Sequence, residues 1–130
     1  MSTSSPANLK YSKTHEWVKI EETNATVGIT HHAQEALGDI TFVELPKIGS
    51  DVIKDAACCV IESVKAASDI NAPVSGKVSG VNENLETGPE SVNKDPYGAG
   101  WIFKLSDVTL KEVSGLMDAK AYDAFVESEK

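Results

Sequence analysis

Short stretches of the chain alternate apolar and polar residues, and this period of two is typical of β-strands with one buried face. Eight such stretches are separated by residues that favour turns, and short strands at this spacing predict a β-sandwich or barrel. The predicted strands are residues 17–20, 25–29, 40–45, 51–53, 57–64, 68–71, 76–81 and 101–105. A long, turn-rich connection, residues 82–100, separates the last two.

Three other stretches have the apolar spacing of helices. Residues 31–37 follow Thr30, which can cap a helix N-terminus, and they stop at Gly38, which can end a helix. Residues 108–116 place apolar side chains at helical intervals, and Asp118 precedes a last stretch whose apolar residues share one face. We expect these helices to cover the open side and the ends of the sheets.

The charge of the chain excludes two classes of partner. Its 130 residues, the length of one domain, carry 20 acidic and 12 basic side chains, for a net charge of −8, and every basic residue is a lysine. Nucleic acids and anionic membranes attract basic surfaces. We therefore expect no nucleic acid and no membrane among the partners, and partners that dock through basic patches.

The first residues of the chain carry no signal for export or import. Residues 1–8 lack both the charged start and the apolar stretch of a secretory signal, and a mitochondrial transit peptide would contain arginine. No apolar run approaches the roughly 20 residues that a transmembrane helix needs. We expect a cytoplasmic protein of bacterial type, or a mitochondrial matrix protein if this is the mature form of an imported chain.

No cluster of residues predicts a self-contained catalyst or a metal site. Cys58 and Cys59 are neighbours in a predicted strand, so we expect them to face opposite sides and to pack there rather than form a redox pair. His31 and His32 are adjacent near a helix start and do not face one point, which favours surface or capping roles. The glycine pair within residues 98–100 lacks the rest of a phosphate-binding loop.

One lysine is predicted to lie at the tip of a hairpin. Lys65 belongs to a short Val-Lys-Ala-Ala turn between two strand-like runs, without the Asn-Gly or Asp-Gly of ordinary hairpin tips. A lysine on a rigid turn is accessible to a modifying enzyme, and its flexible stem extends any group that is attached to it. On these residues alone, Lys65 can also be an ordinary surface lysine that protects a sheet edge.

The segment around this lysine resembles a known motif. Residues 62–78, Glu-Ser-Val-Lys-Ala-Ala-Ser-Asp-Ile-Asn-Ala-Pro-Val-Ser-Gly-Lys-Val, are similar to the lipoyl-attachment segment of the glycine cleavage system H protein family. Other segments resemble the family in the same order, namely residues 11–18, 27–40, 42–46, 95–101 and 116–122. The resemblance extends from about Leu9 to the C-terminus.

The resemblance implies a mainly β fold. The family has a lipoyl-domain-like β-sandwich or flattened barrel, a barrel-sandwich hybrid of two antiparallel sheets, with a short internal helix and C-terminal helices. We expect a flexible N-terminal segment at residues 1–8 and a single carrier domain at residues 9–130. Its C-terminal helical segment would cover about residues 107–130, and the protein would be a monomer.

The motif also implies which residues serve the cofactor. By its position Lys65 is the lysine whose Nζ carries lipoate as an amide. Glu62 and Gly76, three residues before it and eleven after it, match positions that help modifying enzymes to recognise the domain. Val64 and Ala66 flank the lysine where a biotinyl domain would have methionines, which favours lipoate over biotin.

Three further residues match family positions around a cleft that holds the loaded arm. We hypothesise that Thr14, Glu16 and Asp69 line this cleft and that the Glu16 carboxylate holds the ammonium of the arm, an attraction that strengthens as water is excluded. The alternative is that both acidic residues are solvated surface carboxylates. The chain departs from the common pattern at residues 55–59, which contain the cysteine pair, and at His31, where the family often has an acidic residue.

The resemblance implies a carrier rather than an enzyme. An H protein takes the aminomethyl group of glycine from the P protein (glycine decarboxylase) to the T protein (aminomethyltransferase). The L protein (dihydrolipoamide dehydrogenase) reoxidises the dithiol of the H protein's lipoyl group. Lipoylating enzymes attach this cofactor, lipoate, to the H protein. Tethering makes each encounter effectively intramolecular. The alternative is an H-like protein that relays or donates lipoyl groups to other lipoyl domains.

Overall fold

The computed structural model describes residues 5–129, and its strands form two antiparallel β-sheets. The strands are β1 (Lys10–Tyr11), β2 (Glu16–Glu21), β3 (Asn24–Ile29), β4 (Ile40–Glu44), β5 (Asp51–Val52), β6 (Ala57–Ser63), β7 (Ala67–Asn71), β8 (Gly76–Val81) and β9 (Phe103–Ser106). One sheet has the order β1-β2-β3-β9-β8-β5 and the other the order β4-β6-β7. This flattened sandwich confirms the predicted mainly β fold.

Short helices connect and cover the sheets. They are α1 (His31–Leu37), α2 (Asn84–Thr87), α3 (Ser91–Lys94), a 3₁₀ helix (Leu110–Gly115) and α4 (Ala119–Ser128). The predicted caps are confirmed: Thr30 Oγ1 accepts a hydrogen bond from the Ala33 N–H, and Asp118 Oδ1 accepts one from the Ala121 N–H at 2.8 Å. Across residues 5–129, every helix is too short or too polar to cross a bilayer.

The structure corrects the sequence prediction in four places. The two-residue strand β1 was missed because it is too short to show alternation. The last predicted strand begins at Phe103 rather than at Trp101, because the Trp101 N–H donates to the Gly98 carbonyl in a turn. The connection at residues 82–100 contains α2 and α3, and the helix predicted at residues 108–116 is a 3₁₀ helix.

The N-terminal residues lie partly outside the structure. Residues 1–4 of the segment expected to be flexible lie outside the described residues. Ser5 follows directly, and its hydroxyl donates a hydrogen bond to Asp123 Oδ1 of α4 at 2.7 Å.

Two apolar clusters hold the elements together. The larger cluster lies between the sheets and is built mostly from branched aliphatic side chains that are almost fully buried, with Val18, Val27, Ile61, Val74, Phe103 and Leu105 among them. The smaller cluster packs α4 against β1 and β2. In that cluster, Tyr11 and Tyr122 stack with ring centroids 4.8 Å apart, beside the buried Trp17. The C-terminal helix is therefore part of the folded domain rather than an appendage.

The C-terminal end of α1 is held in place by one amide side chain. Asn93 of α3 donates hydrogen bonds from Nδ2 to Gln34 Oε1 and to the Gly38 carbonyl, both at 2.9 Å. Its Oδ1 accepts the N–H of Ile40 at 2.9 Å. A single residue thus joins α3, the end of α1 and the start of β4, and it sets where the chain leaves the helix.

We expect Asn93→Ala to destabilise the protein by about 1–3 kcal/mol, because the N–H of the buried Ile40 loses its partner. The matched control is Asn84→Ala in α2, where the asparagine is exposed, and this change should stay within about 0.5 kcal/mol. Urea unfolding of both variants measures the difference. Equal effects of the two substitutions would contradict this role of Asn93.

Candidate functional site

Lys65 lies at the tip of the β6–β7 hairpin, as predicted. Glu62 and Ala67 face each other in the ladder, and the Ser63 N–H donates to the Ala66 carbonyl at 2.8 Å. This bond leaves Val64 and Lys65 as a two-residue tip. The Ser63 hydroxyl oxygen accepts the N–H groups of Lys65 and Ala66, each at 3.2 Å. The serine side chain therefore stabilises this turn, which lacks the Asn-Gly sequence that favours tight turns in other hairpins.

The end of α1 supports the tip from one side. The Val64 N–H donates to the Asp39 carbonyl at 3.0 Å, which joins the turn to the segment after α1. Gly38, with a φ of +80°, lies under the lysine stem, and a Cβ at this glycine would be 3.3 Å from Lys65 Cε. Lys65 itself is exposed, and within residues 5–129 it forms no ion pair.

Several predicted recognition residues surround the lysine. Glu62, Val64 and Ala66 are exposed on or beside the hairpin, and Val64 remains 68% exposed. Phe42 of β4 pairs with Glu62 across the sheet and is 48% exposed. The structure thus places apolar surface and one carboxylate next to the lysine. Neither periodicity nor motif predicted the exposure of Phe42.

Gly76 is not part of the hairpin. It starts β8 in the other sheet, where a Cβ would lie 2.9 Å from the carbonyl oxygen of Ser106 and 3.5 Å from a methyl group of Val108. The absence of a side chain at this position therefore has a packing reason. Any contribution of Gly76 to recognition by modifying enzymes would act through the position of β8.

Glu16 is a buried carboxylate that links the two sheets. Its side chain belongs to β2 and is 1% exposed. Its carboxylate accepts hydrogen bonds from the Ser12 hydroxyl at 2.6 Å, from the Thr14 hydroxyl, and from the Asn71 N–H of β7 at 3.2 Å. Burial raises the pKa of Glu16, and these hydrogen bonds oppose that rise. The alternative that Glu16 is a solvated surface carboxylate is therefore wrong.

The other two expected cleft residues, Thr14 and Asp69, are exposed. Thr14 contacts Glu16 directly through its hydroxyl. Asp69 is an exposed residue of β7, and within residues 5–129 it is not among the hydrogen-bond partners of Glu16. Ser12 and Asn71 complete the carboxylate's surroundings. No sequence signal identified these two residues, since their roles depend on how β2 meets β7.

The two cysteines lie at a β-bulge. The register of β6 against β7 shifts between Ala57 and Cys59, so the strict alternation expected at this point is interrupted. Both thiols are free; Cys59 is buried and Cys58 half-buried. The neighbouring Cys58 thiol and burial raise the pKa of the Cys59 thiol. The Cys58 thiol donates a hydrogen bond to the Ile70 carbonyl at 3.4 Å, and Cys59 packs in the larger apolar cluster, in keeping with the expected packing role.

Comparison with known proteins finds relatives along almost the whole chain. The family model described as Glycine cleavage H-protein matches residues 9–129. A glycine cleavage system H protein of Klebsiella pneumoniae is 57% identical over 125 residues, 95% of this chain and 97% of that protein. One from Halorhodospira halophila is 53% identical over 95% of this chain and 96% of its own length.

A solved structure shows the same fold. The crystal structure of a glycine cleavage system H protein from Mycobacterium marinum matches with a TM-score of 0.84 and 38% sequence identity. The match covers 92% of this chain and 96% of that chain.

Substituting Gly76 with Ala should destabilise the protein by about 1–3 kcal/mol, because the new methyl group meets backbone of β9 rather than a flexible side chain. Gly80→Ala in the same strand is the matched control, since a Cβ at Gly80 would lie 3.9 Å from its neighbour, the Cβ of Lys104. We expect the control to change the free energy of unfolding by less than about 0.5 kcal/mol. Chemical denaturation measures both. A stable Gly76→Ala variant would contradict the packing explanation.

Proposed function

The chain belongs to the glycine cleavage H-protein family, and from this premise we propose that it is a lipoyl carrier with lipoate attached to Lys65. The observation that carries the proposal is the hairpin geometry. A lysine on a two-residue turn offers an exposed amine, and its turn is held by Ser63 and by the carbonyl of Asp39. The arrangement suits a modifying enzyme that must reach the amine without unfolding the strands on either side.

The surroundings of Lys65 suit a long swinging arm. Gly38 leaves space for the lysine stem, so the side chain can lie along the end of α1 or extend into solvent. The exposed apolar surface of Val64 and Phe42 can contact the hydrocarbon part of an arm or a docking partner. Glu62 supplies a carboxylate beside the turn, and we expect the lipoylating enzymes to recognise this carboxylate.

We propose that the protein carries the aminomethyl group of glycine between enzymes and catalyses no step itself. The lipoyl group, when attached, supplies a disulfide that takes up the aminomethyl group and is left as a dithiol after transfer. The P protein loads the arm, the T protein unloads it, and the L protein reoxidises it. The folded domain contributes the position of the tether, a high local concentration for each partner, and protection of the cargo.

Protection of the cargo is assigned to the carboxylate of Glu16. The exposed Thr14 covers this carboxylate with its hydroxyl, so the ammonium of a loaded arm would replace one hydrogen-bond donor and bring an opposite charge to a site with little water. Asp69, exposed on β7, would attract the same ammonium on its way in. This proposal rests on the burial of Glu16 and on its hydrogen bond from the exposed Thr14.

We expect one lipoyl amide on Lys65 when the protein is incubated with lipoate and a lipoate ligase, because this amine is presented on the rigid tip. Intact-mass spectrometry with peptide mapping locates the modification. Lys65→Arg should remove it completely, whereas Lys77→Arg, at an exposed lysine of β8, should leave it unchanged. An unmodified Lys65, under conditions that fully modify a known lipoyl domain, would overturn the carrier proposal.

The same lipoylated protein distinguishes the two candidate roles of a carrier. With glycine and purified P protein, the arm should gain the mass of an aminomethyl group. A protein that is lipoylated on Lys65 and is never loaded would instead act as a lipoyl relay or donor for other domains.

Glu16→Gln should shorten the lifetime of the loaded arm by about tenfold, the effect of losing one charge-assisted hydrogen bond of roughly 1.5 kcal/mol. Release of the cargo from isolated loaded protein, followed by mass spectrometry over time, measures this lifetime. Glu21→Gln is the control, because it removes the same charge from an exposed position of β2. Equal lifetimes for both variants and the unsubstituted protein would refute the assignment of Glu16.

A further inference from the structure

Three potential metal ligands from distant parts of the chain converge beside the C-terminal end of α4. His15 lies in the loop before β2, His32 in α1, and Glu129 directly after α4. One ligand atom from each lies within 4.8 Å of the other two, and His15 Nε2 is 3.4 Å from a carboxylate oxygen of Glu129. The rings of His15 and His32 have their centroids 4.6 Å apart. His31 is next to His32 in the sequence, whereas the residue whose ring lies beside the His32 ring in the fold is His15.

The orientation of His15 is set by its surroundings. Its backbone has a φ of +74°, which is unusual for a residue with a side chain, and its N–H and carbonyl are both hydrogen-bonded, to Ser12 and Thr30. On the ring, Nδ1 is 2.7 Å from the Tyr122 hydroxyl, which is itself 2.7 Å from Thr30 Oγ1. With a metal ion between His15 and Glu129, a proton on Nδ1 would donate to the tyrosine oxygen and leave the Nε2 lone pair for the ion, whereas without an ion the contact with Glu129 calls for a proton on Nε2.

This arrangement resembles the support that metal-binding histidines receive. A histidine ligand commonly donates its second ring N–H to an oxygen, which sets the tautomer and the direction of the ring. Tyr122 is 1% exposed and is packed against Tyr11, so its hydroxyl is a rigid partner. The side chains of His15 and Glu129 are 21% and 45% exposed, which leaves an ion a path from solvent.

We propose that His15, His32 and Glu129 bind one zinc ion, with water as the fourth ligand. Ligand atoms about 2.0–2.1 Å from a tetrahedral zinc lie about 3.3 Å from each other, and the 3.4 Å between His15 and Glu129 already has this value. A small rotation of the exposed end of Glu129 and of the His32 ring brings the remaining distances into range. Two imidazoles and one carboxylate are ligands that suit zinc rather than calcium or magnesium.

The bound ion would link three elements that the fold otherwise joins through Tyr122 and the apolar cluster around it. It would connect the loop before β2, which leads directly into Glu16, with α1 and with the last turn of α4. Binding to the folded state alone raises stability according to ligand concentration and affinity. Zinc would therefore hold the C-terminal helix against the part of the domain that contains the buried carboxylate.

The test is titration of the full chain with zinc alone, followed by isothermal calorimetry and thermal unfolding. We expect one ion per chain and a higher unfolding temperature. His32→Gln and Glu129→Gln should each weaken the affinity at least tenfold, because each removes a ligand. His31→Gln is the matched control: it removes the adjacent histidine of the same helix, outside the cluster, and should bind zinc like the unsubstituted protein. Glu129 lies at an exposed helix end, so its variant stays folded.

The cysteine pair is the competing zinc site, and two measurements separate it from the proposed one. A Cys58→Ser/Cys59→Ser variant should keep its affinity, and cobalt substituted for zinc should give a visible spectrum without a thiolate charge-transfer band. Loss of binding in the cysteine variant, or equal zinc affinity in the unsubstituted, His32→Gln and Glu129→Gln proteins, would overturn the proposal. The same holds if the protein binds no zinc.

Discussion

The short segment that leaves α1 is the constraint on which the lysine hairpin depends. The Gly38 carbonyl accepts from Asn93, and the next carbonyl, that of Asp39, accepts from Val64 at the hairpin tip. Gly38 also leaves the space in which the stem of Lys65 lies. Two-residue hairpin tips are mobile when nothing supports them, and here the support comes from a helix end that is itself held by three hydrogen bonds. The modification site is therefore positioned by elements outside its own hairpin.

A second constraint is the carboxylate of Glu16 between the sheets. Removing an ionised carboxylate from water is costly, and the cost is offset only when hydrogen-bond donors replace the water. Ser12, Thr14 and Asn71 supply these donors from both sides of the sandwich. A buried acid with an exposed threonine over it can join two strands in the resting protein and still attract a cation. The structural and the proposed protective roles of Glu16 thus use the same charge.

Tyr122 joins the C-terminal helix α4 to α1 and to the loop that precedes Glu16. Its ring stacks on Tyr11, and its hydroxyl lies within 2.7 Å of His15 Nδ1 and of Thr30 Oγ1, the atom that caps α1. One side chain therefore connects α4 with the start of α1 and with the loop that leads to Glu16. The proposed zinc site lies on this same connection, so an ion there would join elements that are already in contact.

The alternation of apolar residues, the caps at Thr30 and Asp118 and the motif around Lys65 predicted most strands, two helix starts and the hairpin tip. These features are local, because a strand's burial pattern and a helix cap depend on residues a few positions apart.

Four features depended on contacts between distant residues and could not be read from the chain. These are the burial of Glu16, the packing reason for Gly76, the bulge in β6 beside Cys58 and Cys59, and the meeting of His15 with His32. Each is decided by which strands pair and in what register. The sequence by itself determined most strands, two helix starts and the lysine, whereas only the tertiary structure decided what surrounds them, because surroundings arise from long-range packing.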